Sequence, residues 1–333
     1  MKCAVFYGKD DLRVEDRSIP KIKDNEVLVK VTFCGICGSD IHIIKGEIPW
    51  TSPLILGHEY SGEIVDLGGR VKGLNPGDRV TVAPGIVCRK CFFCQRGLEH
   101  LCINRRLIDG GFAEFVSVPS ELVYPLPTNV SYEVGSLAEP LGCCLHAVEL
   151  ASIVLTSKVL ITGGGPIGLM LLECVKYTGS NLTVLSEPYK LRRSLAKKIG
   201  ADVVVNPASE NLPQIVEHIT SGTGVDICIE ATGLPQPIKD CIKSVRRGGT
   251  VVLMGVASQS TEIGIKPYEI YQKEITLRGS FMRGFSFPRA VDLLPILDLK
   301  PLLTHCFPLK DIHKALGFHQ SKKGVKIMIS PKE

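Results

Sequence analysis

Thirteen cysteines stand in this chain of 333 residues, and four fall close together as Cys88-x2-Cys91-x2-Cys94-x7-Cys102. Four thiolates at that spacing can fill every position of a tetrahedral zinc ion, which leaves no room for a substrate and makes the site structural. An iron–sulfur cluster is one alternative, because two successive two-residue gaps open such a run; here the fourth cysteine comes late and no Cys-Pro closes it. Reduced bystander cysteines are the other. A second set is mixed. Cys37 lies in CGICGSDIH, and His58 and Glu59 lie in ILGHE. One thiolate, one imidazole and one carboxylate can hold a metal and leave a position open for water or substrate. Taken singly, a cysteine is usually core and a histidine usually packs or faces solvent. Two glycine-containing loops, each beside a strand pattern and each carrying ligand types, weaken that reading.

The third chemical signal is Gly163-Gly164-Gly165-Pro166-Ile167-Gly168, which fits G-x-G-x-x-G. A lone match of this kind is often a glycine-rich turn. Here it follows the apolar strand pattern VLIT and opens a helix pattern, so the backbone can approach a pyrophosphate whose charge sits at the helix N-terminus. Glu187 ends the next strand pattern, nineteen residues after Gly168. An acid there accepts hydrogen bonds from the adenosine ribose and repels a 2′-phosphate, which favours NAD over NADP. The alternative for Glu187 alone is an exposed loop carboxylate. Arg192 either covers the adenine or ribose or lies on a helix surface, and Arg192 or Arg193 keeps NADP open.

The elements that must position these residues change character along the chain. The first 130 residues carry short strand patterns, Glu26 to Phe33, Tyr60 to Leu67 and Asp78 to Ala83, separated by Gly- and Pro-rich turns. From about Gly142, strands and helices alternate. Strands are expected at Lys158 to Thr162, Leu182 to Ser186, Val203 to Val205, Val225 to Glu230 and Gly249 to Gly255. Helices are expected at Pro166 to Thr178, Lys190 to Ile199, near Leu212 to Thr220 and from Pro237. That alternation indicates right-handed βαβ units on a parallel sheet. A helix Phe287 to Leu299 and a strand Val325 to Ile329 follow, so the βα unit is inserted between two pieces of a β-rich domain.

Composition narrows the partners. The net charge is +5, and doublets such as Arg192-Arg193, Lys197-Lys198 and Arg246-Arg247 read as solvated helix faces. No nucleic-acid partner is expected. No run of about 18 apolar residues exists, so no membrane span is expected. The first ten residues are charged and lack the apolar stretch of a signal peptide, so the expected location is cytoplasmic. There, clustered cysteines read as metal ligands before disulfides.

In this order, CGICGSDIH, GHE, the four-cysteine lobe and GGGPIG resemble the zinc-containing medium-chain dehydrogenase family, closest to its sorbitol/polyol and threonine dehydrogenase branch. The match runs from Met1 to Thr304-His305-Cys306-Phe307. The resemblance implies an α/β fold. A GroES-like β-rich catalytic domain (1–143, with the zinc lobe at about 85–103, and 285–333) is split around an inserted Rossmann domain (144–284), a doubly wound parallel sheet. The active site would lie between the two. It implies that Cys37 and His58 bind catalytic zinc, that Glu59 is a ligand or a close carboxylate, and that Glu139 in SLAEPLGCCLH is a ligand or holds the metal's water. Cys34, Cys143 and Cys144 become packing cysteines, and Asp40 orients His58. Ser39, the cofactor ribose and His42 form a proton relay, unless Ser39 caps a helix and His42 is a surface residue.

The activity implied is hydride transfer between a secondary alcohol of polyol or sugar type and NAD (NADP possible), giving a ketone. Catalytic and structural Zn2+, a small-molecule substrate and a homo-oligomer, dimer or tetramer, go with it. A threonine-type or simple secondary-alcohol dehydrogenase is the alternative. A non-catalytic zinc- and dinucleotide-binding protein is the alternative of another class, and a zinc-free quinone or enoyl reductase would lack the ligand set. Two residues bear on the substrate. The branch often places arginine directly after Gly-x-Phe, whereas Gly279-Ser280-Phe281-Met282-Arg283 has it one residue late. Trp50 either walls the substrate site or packs.

Overall fold

The computed structural model describes residues 1–106, 108 and 110–332. It divides into two compact units, Met1–Gly142 with Gly284–Glu333, and Cys143–Arg283. In the first unit the chain lays down β1 (Lys2–Gly8), β2 (Asp11–Asp16), β3 (Glu26–Gly35), β4 (Leu54–Ile55), β5 (Glu59–Leu67), β6 (Arg79–Val82), β7 (Phe115–Pro119) and β8 (Val123–Pro125). In β3, Val27, Val29 and Val31 are buried while Lys30 is exposed, the period-two pattern of a sheet with one covered face.

The second unit carries β9 (Lys158–Thr162), β10 (Leu182–Ser186), β11 (Val203–Val205), β12 (Val225–Glu230), β13 (Val245–Leu253) and β14 (Thr276–Gly279). All its pairings are parallel, in the order β11-β10-β9-β12-β13-β14. Val159, Leu160 and Ile161 of β9 are fully buried, as a parallel strand covered on both faces requires. The strand order reverses between β9 and β12, and the crevice at such a switch point is where open α/β sheets take their ligands.

The tail returns to the first unit as β15 (Leu303–Pro308) and β16 (Lys326–Ser330). These complete the sheet β15-β16-β3-β5-β6-β8, with β7 also on β3, beside a three-stranded sheet β2-β1-β4. The core beneath includes Val29, Tyr60, Ile64 and Phe112, capped by Ile312 and Leu316 of the helix Ile312–Gln320. Each such fully buried side chain contributes about 1.5–3 kcal/mol. No helix among the described residues is long and apolar enough to cross a membrane.

Several elements differ from the sequence expectation. The helix expected to reach Leu299 spans Phe287–Leu293, because Pro295 has no N–H to donate and disfavours helical backbone before it. Strand β13 starts at Val245 rather than Gly249; Gly248 (φ +67°) and Gly249 lie inside the strand, where the register to β12 shifts. Glycines that look like a break are here part of an irregular strand. The short, exposed β14 gives no apolar signal and was not expected.

Candidate active site

Strand pairing assembles the mixed ligand set. In the β3–β5 register Cys34 faces Tyr60 and Gly35 faces Glu59, so the loop leaving β3 and the loop entering β5 meet. Gly57 has φ +90°, and a Cβ there would come within 2.7 Å of the Phe112 ring, so only glycine lets the chain deliver His58. Cys37 is the N-cap of the helix Gly38–Ile44, and its N–H donates to Asp40 Oδ2 at 2.9 Å. Ile41 and Ile43 anchor that helix in the core. One ligand atom each from Cys37, His58 and Glu59 lies within 4.8 Å of the others.

Surrounding contacts orient these donors. Asp40, 1 % exposed, places Oδ1 3.3 Å from His58 Nδ1. A Nδ1–H shared with that carboxylate leaves Nε2 as the free lone pair, the arrangement that aims an imidazole at a metal. Ser39 Oγ lies 3.4 Å from His58 Nε2. Burial works to lower the His58 pKa, but the charges of Asp40 and Cys37 lift it well above the ordinary imidazole value. A site that draws a proton onto its histidine in this way suits a cation. Zinc fits it: a soft thiolate, an imidazole and a carboxylate, with room for one more ligand. Ser39 does not cap the helix, since Cys37 holds that position.

Other expected residues are not grouped with this set. Glu139 is buried in the first turn of the helix Ala138–Ala151, outside the three-donor group. Cys34 is also outside it, fully buried, with burial pushing its thiol pKa well up. His42 Nδ1 meets Glu47 Oε2 at 2.5 Å, both side chains partly exposed. Trp50 packs against the core of the first unit. Met282 takes left-handed backbone (φ 59°), so the segment before Arg283 turns instead of extending β14. Two participants escaped the sequence reading. Glu47 pairs with His42 only because the chain folds back after the helix. Lys326 of β16, 2 % exposed, is ion-paired to Glu59; in KGVKIMIS it looks like any lysine at the edge of a strand.

The four-cysteine lobe is a separate site. One sulfur each from Cys88, Cys91, Cys94 and Cys102 lies within 4.8 Å of the others. The Lys90 N–H, then the Asn104 amide, help bring the Cys88 thiol down to about 6, while burial pushes Cys94 up to about 12. Phe92 (60 % exposed) and Ile103 (72 % exposed) show that the lobe has little core of its own. A tetrahedral zinc ion fits these four sulfurs and supplies the cross-link that apolar burial does not.

In the second unit, Gly163 (φ +96°) turns the chain out of β9, and Gly165 caps the helix Pro166–Tyr177 with Pro166 and Ile167 in its first turn. A Cβ on Gly168 would sit 1.7 Å from the Gly163 carbonyl oxygen, so this glycine serves close packing of helix on strand. Glu187, 3 % exposed, accepts the Gly164 N–H (2.7 Å) and the Tyr189 N–H (2.8 Å). It therefore joins the glycine turn to the end of β10. Arg192 is buried, not on a helix surface, and its guanidinium lies over the Tyr189 ring at 5.4 Å. Arg193 Nη1 donates to the carbonyls of Glu187 (2.9 Å) and Pro188 (2.5 Å). The glycine turn, the open helix N-terminus and the adjacent carboxylate fit a dinucleotide. Glu230, at the end of β12 across the switch point, accepts the N–H groups of Thr232 (2.6 Å) and Gly233 (3.1 Å) and holds the facing turn.

Residues 23–128 match the alcohol dehydrogenase GroES-like domain, and residues 166–295 match the zinc-binding dehydrogenase domain. The chain is 36 % identical over 341 residues to a sorbitol dehydrogenase of Ovis aries, covering 98 % of this chain and 94 % of that one. It is 35 % identical over 341 residues to an L-threonine 3-dehydrogenase of Pyrococcus furiosus, with the same coverage. A solved chain from Sinorhizobium meliloti 1021, described as a zinc-binding dehydrogenase and bound to NADP, superposes with a TM-score of 0.95 at 35 % identity over 99 % of both chains. The protein belongs to the zinc-containing medium-chain dehydrogenase family. It is a zinc- and NAD(P)-dependent alcohol oxidoreductase built as a GroES-like domain and a Rossmann domain.

Proposed function

We propose that the enzyme oxidises a secondary hydroxyl of a polyol or sugar-type substrate to a ketone, with NAD as the preferred acceptor. The observation that carries this is the three-donor cluster of Cys37, His58 and Glu59 with Ser39 beside it. The sorbitol dehydrogenase relative favours a polyol. Residues 1–143 and 285–333 would form the catalytic domain and 144–284 the dinucleotide domain.

Bound zinc supplies Lewis-acid polarisation of the substrate oxygen, and the dinucleotide supplies the hydride acceptor. Cys37, His58 and Glu59 hold the metal, and Asp40 fixes the ring of His58. Glu139 would ligate the metal or hold its water. Ser39 Oγ would take the proton leaving the substrate hydroxyl, and His42 would receive it at the far end of the relay. Glu47 steadies the imidazolium that results. Cys88, Cys91, Cys94 and Cys102 hold the structural zinc. Gly163, Gly165, Pro166, Ile167 and Gly168 would cradle the pyrophosphate, while Glu187 would take the ribose and turn away a 2′-phosphate. Arg192, stacked on Tyr189, covers the adenine side.

Copies of the chain would associate through the exposed edge strand β14 and the neighbouring Tyr268 (69 % exposed) and Tyr271 (78 % exposed). A cytoplasmic setting suits clustered cysteines that serve as metal ligands. The test follows cofactor reduction by ultraviolet absorbance with NAD and with NADP, over polyols, sugar phosphates, threonine and simple secondary alcohols. It is repeated after chelation and zinc add-back. Turnover of a polyol with NAD, lost on chelation and restored by zinc, is the expected result. Zinc-independent turnover, or none with any alcohol, would overturn the reading.

A further inference from the structure

Lys326 has no part in the relay or the donor set, yet it is buried against Glu59 and the loop that carries Cys37. Its side chain is 2 % exposed and ion-paired to Glu59, itself 1 % exposed. Its Nζ also donates to the Ile36 carbonyl at 3.2 Å. A Cβ on Gly35 would fall 2.3 Å from Glu59 Oε2 and 2.6 Å from Lys326 Cε, so the backbone is kept bare where the pair crosses it. The Ile36 N–H donates to the Ile327 carbonyl at 2.9 Å, which fastens β16 to the loop that carries Cys37. The tail thus delivers an ammonium group to the back of the ligand cluster. An ammonium buried this deeply persists only when paired, and the anionic groups facing it are Glu59, Cys37 and Asp40.

Glu59 therefore answers to two cations, since it belongs to the donor set and is held by Lys326. We propose that Lys326 is a positioning residue that keeps Glu59 a shared, weakened donor, so that the catalytic metal retains an exchangeable coordination position. The inference rests on the reading of Cys37, His58 and Glu59 as the metal site. Its physical content is a sign. Removing the ammonium frees a full carboxylate charge for the metal, so the metal is held more tightly. A lysine that merely braced the fold would do the opposite when removed, because a loosened site loses its ion faster.

The test is the release of zinc from the loaded enzyme into a chromogenic chelator. Release resolves into two phases, and C37S identifies the one that belongs to the three-donor site. With K326M that phase slows by about tenfold or more, the change that a coupling of about 1.4 kcal/mol produces. K326R, which keeps the charge, releases zinc at the wild-type rate. E59Q/K326M releases zinc at the rate of E59Q alone, because Lys326 acts through Glu59. K326Q, uncharged but still able to donate to Ile36, carries the same measurement should K326M fail to fold. Unchanged or faster release in K326M or K326Q, or a double variant that departs from the rate of E59Q, would overturn the proposal. If the wild type shows no phase that C37S abolishes, the metal-site reading itself fails, an outcome distinct from the others.

Discussion

Single side chains in this enzyme act through what holds them. His42 lies three residues after Ser39 on one short helix and has Glu47 at 2.5 Å on its outer side. If it ends the proton relay, His42→Ala lowers kcat for alcohol oxidation by about a hundredfold near neutral pH. The loss shrinks as pH rises or when imidazole is added, and a pH-independent loss in kcat would exclude the relay. Glu187 is a second case. Its carboxylate repels a 2′-phosphate and also accepts the Gly164 and Tyr189 N–H groups. Glu187→Ser should therefore raise the NADP-to-NAD ratio of kcat/KM by about tenfold or more while weakening NAD itself. Steady-state kinetics with both cofactors decide it, and an unchanged ratio rules out Glu187 as the discriminator. The ligand types in CGICGSDIH and GHE were legible in the sequence because metal chemistry admits few residue types. Lys326 was not, because a lysine beside an apolar run looks the same whether it faces solvent or a carboxylate.

At the scale of elements, the zinc lobe and the glycine turn show two ways of holding a loop. Most of the lobe's large apolar side chains are exposed, including Phe92, Leu98, Leu101 and Ile103. Its order must then come from the metal. Cys91→Ser should lower the zinc content from two equivalents to one and reduce the melting temperature, while zinc at the Cys37 site is kept. Metal analysis with calorimetry checks this; two retained equivalents would refute it. The glycine turn instead is held by packing, with Gly168 against the Gly163 carbonyl and Glu187 across the Gly164 N–H. Both devices were readable as motifs, because thiolate spacing and glycine spacing are local. Strand β14 and the full extent of β13 were not, since a short polar strand and an irregular one are specified by the strand alongside them.

Across the whole molecule, the parallel sheet depends on ties between strands distant in sequence. Asp226 Oδ2 accepts the Lys158 N–H at 2.7 Å, and Oδ1 accepts Arg246 Nε at 2.6 Å, so one carboxylate binds β9, β12 and β13 at their starts. Burial works to raise its pKa, but the Lys158 N–H and Arg246 outweigh this and hold it below the usual carboxylate value. A carboxylate depressed in the folded state stabilises fully above its unfolded pKa of about 3.9, and that contribution fades as pH falls through the folded value. Asp226→Asn should thus lower the melting temperature by a constant amount above about pH 5, with the gap closing in more acid solution. Melting curves from pH 3 to 8 test it, and a gap that persists at the acid end counts against the tie. By itself the sequence determined the order of the motifs, the alternation of strands and helices and the chemical types in each site, because each of these is written in local spacing. Only the tertiary structure decided which residues meet: Glu59 with Lys326 across some 270 positions, and Asp226 with Lys158. Those pairings arise from the register of strands brought together by burial, and register is a property of two segments at once.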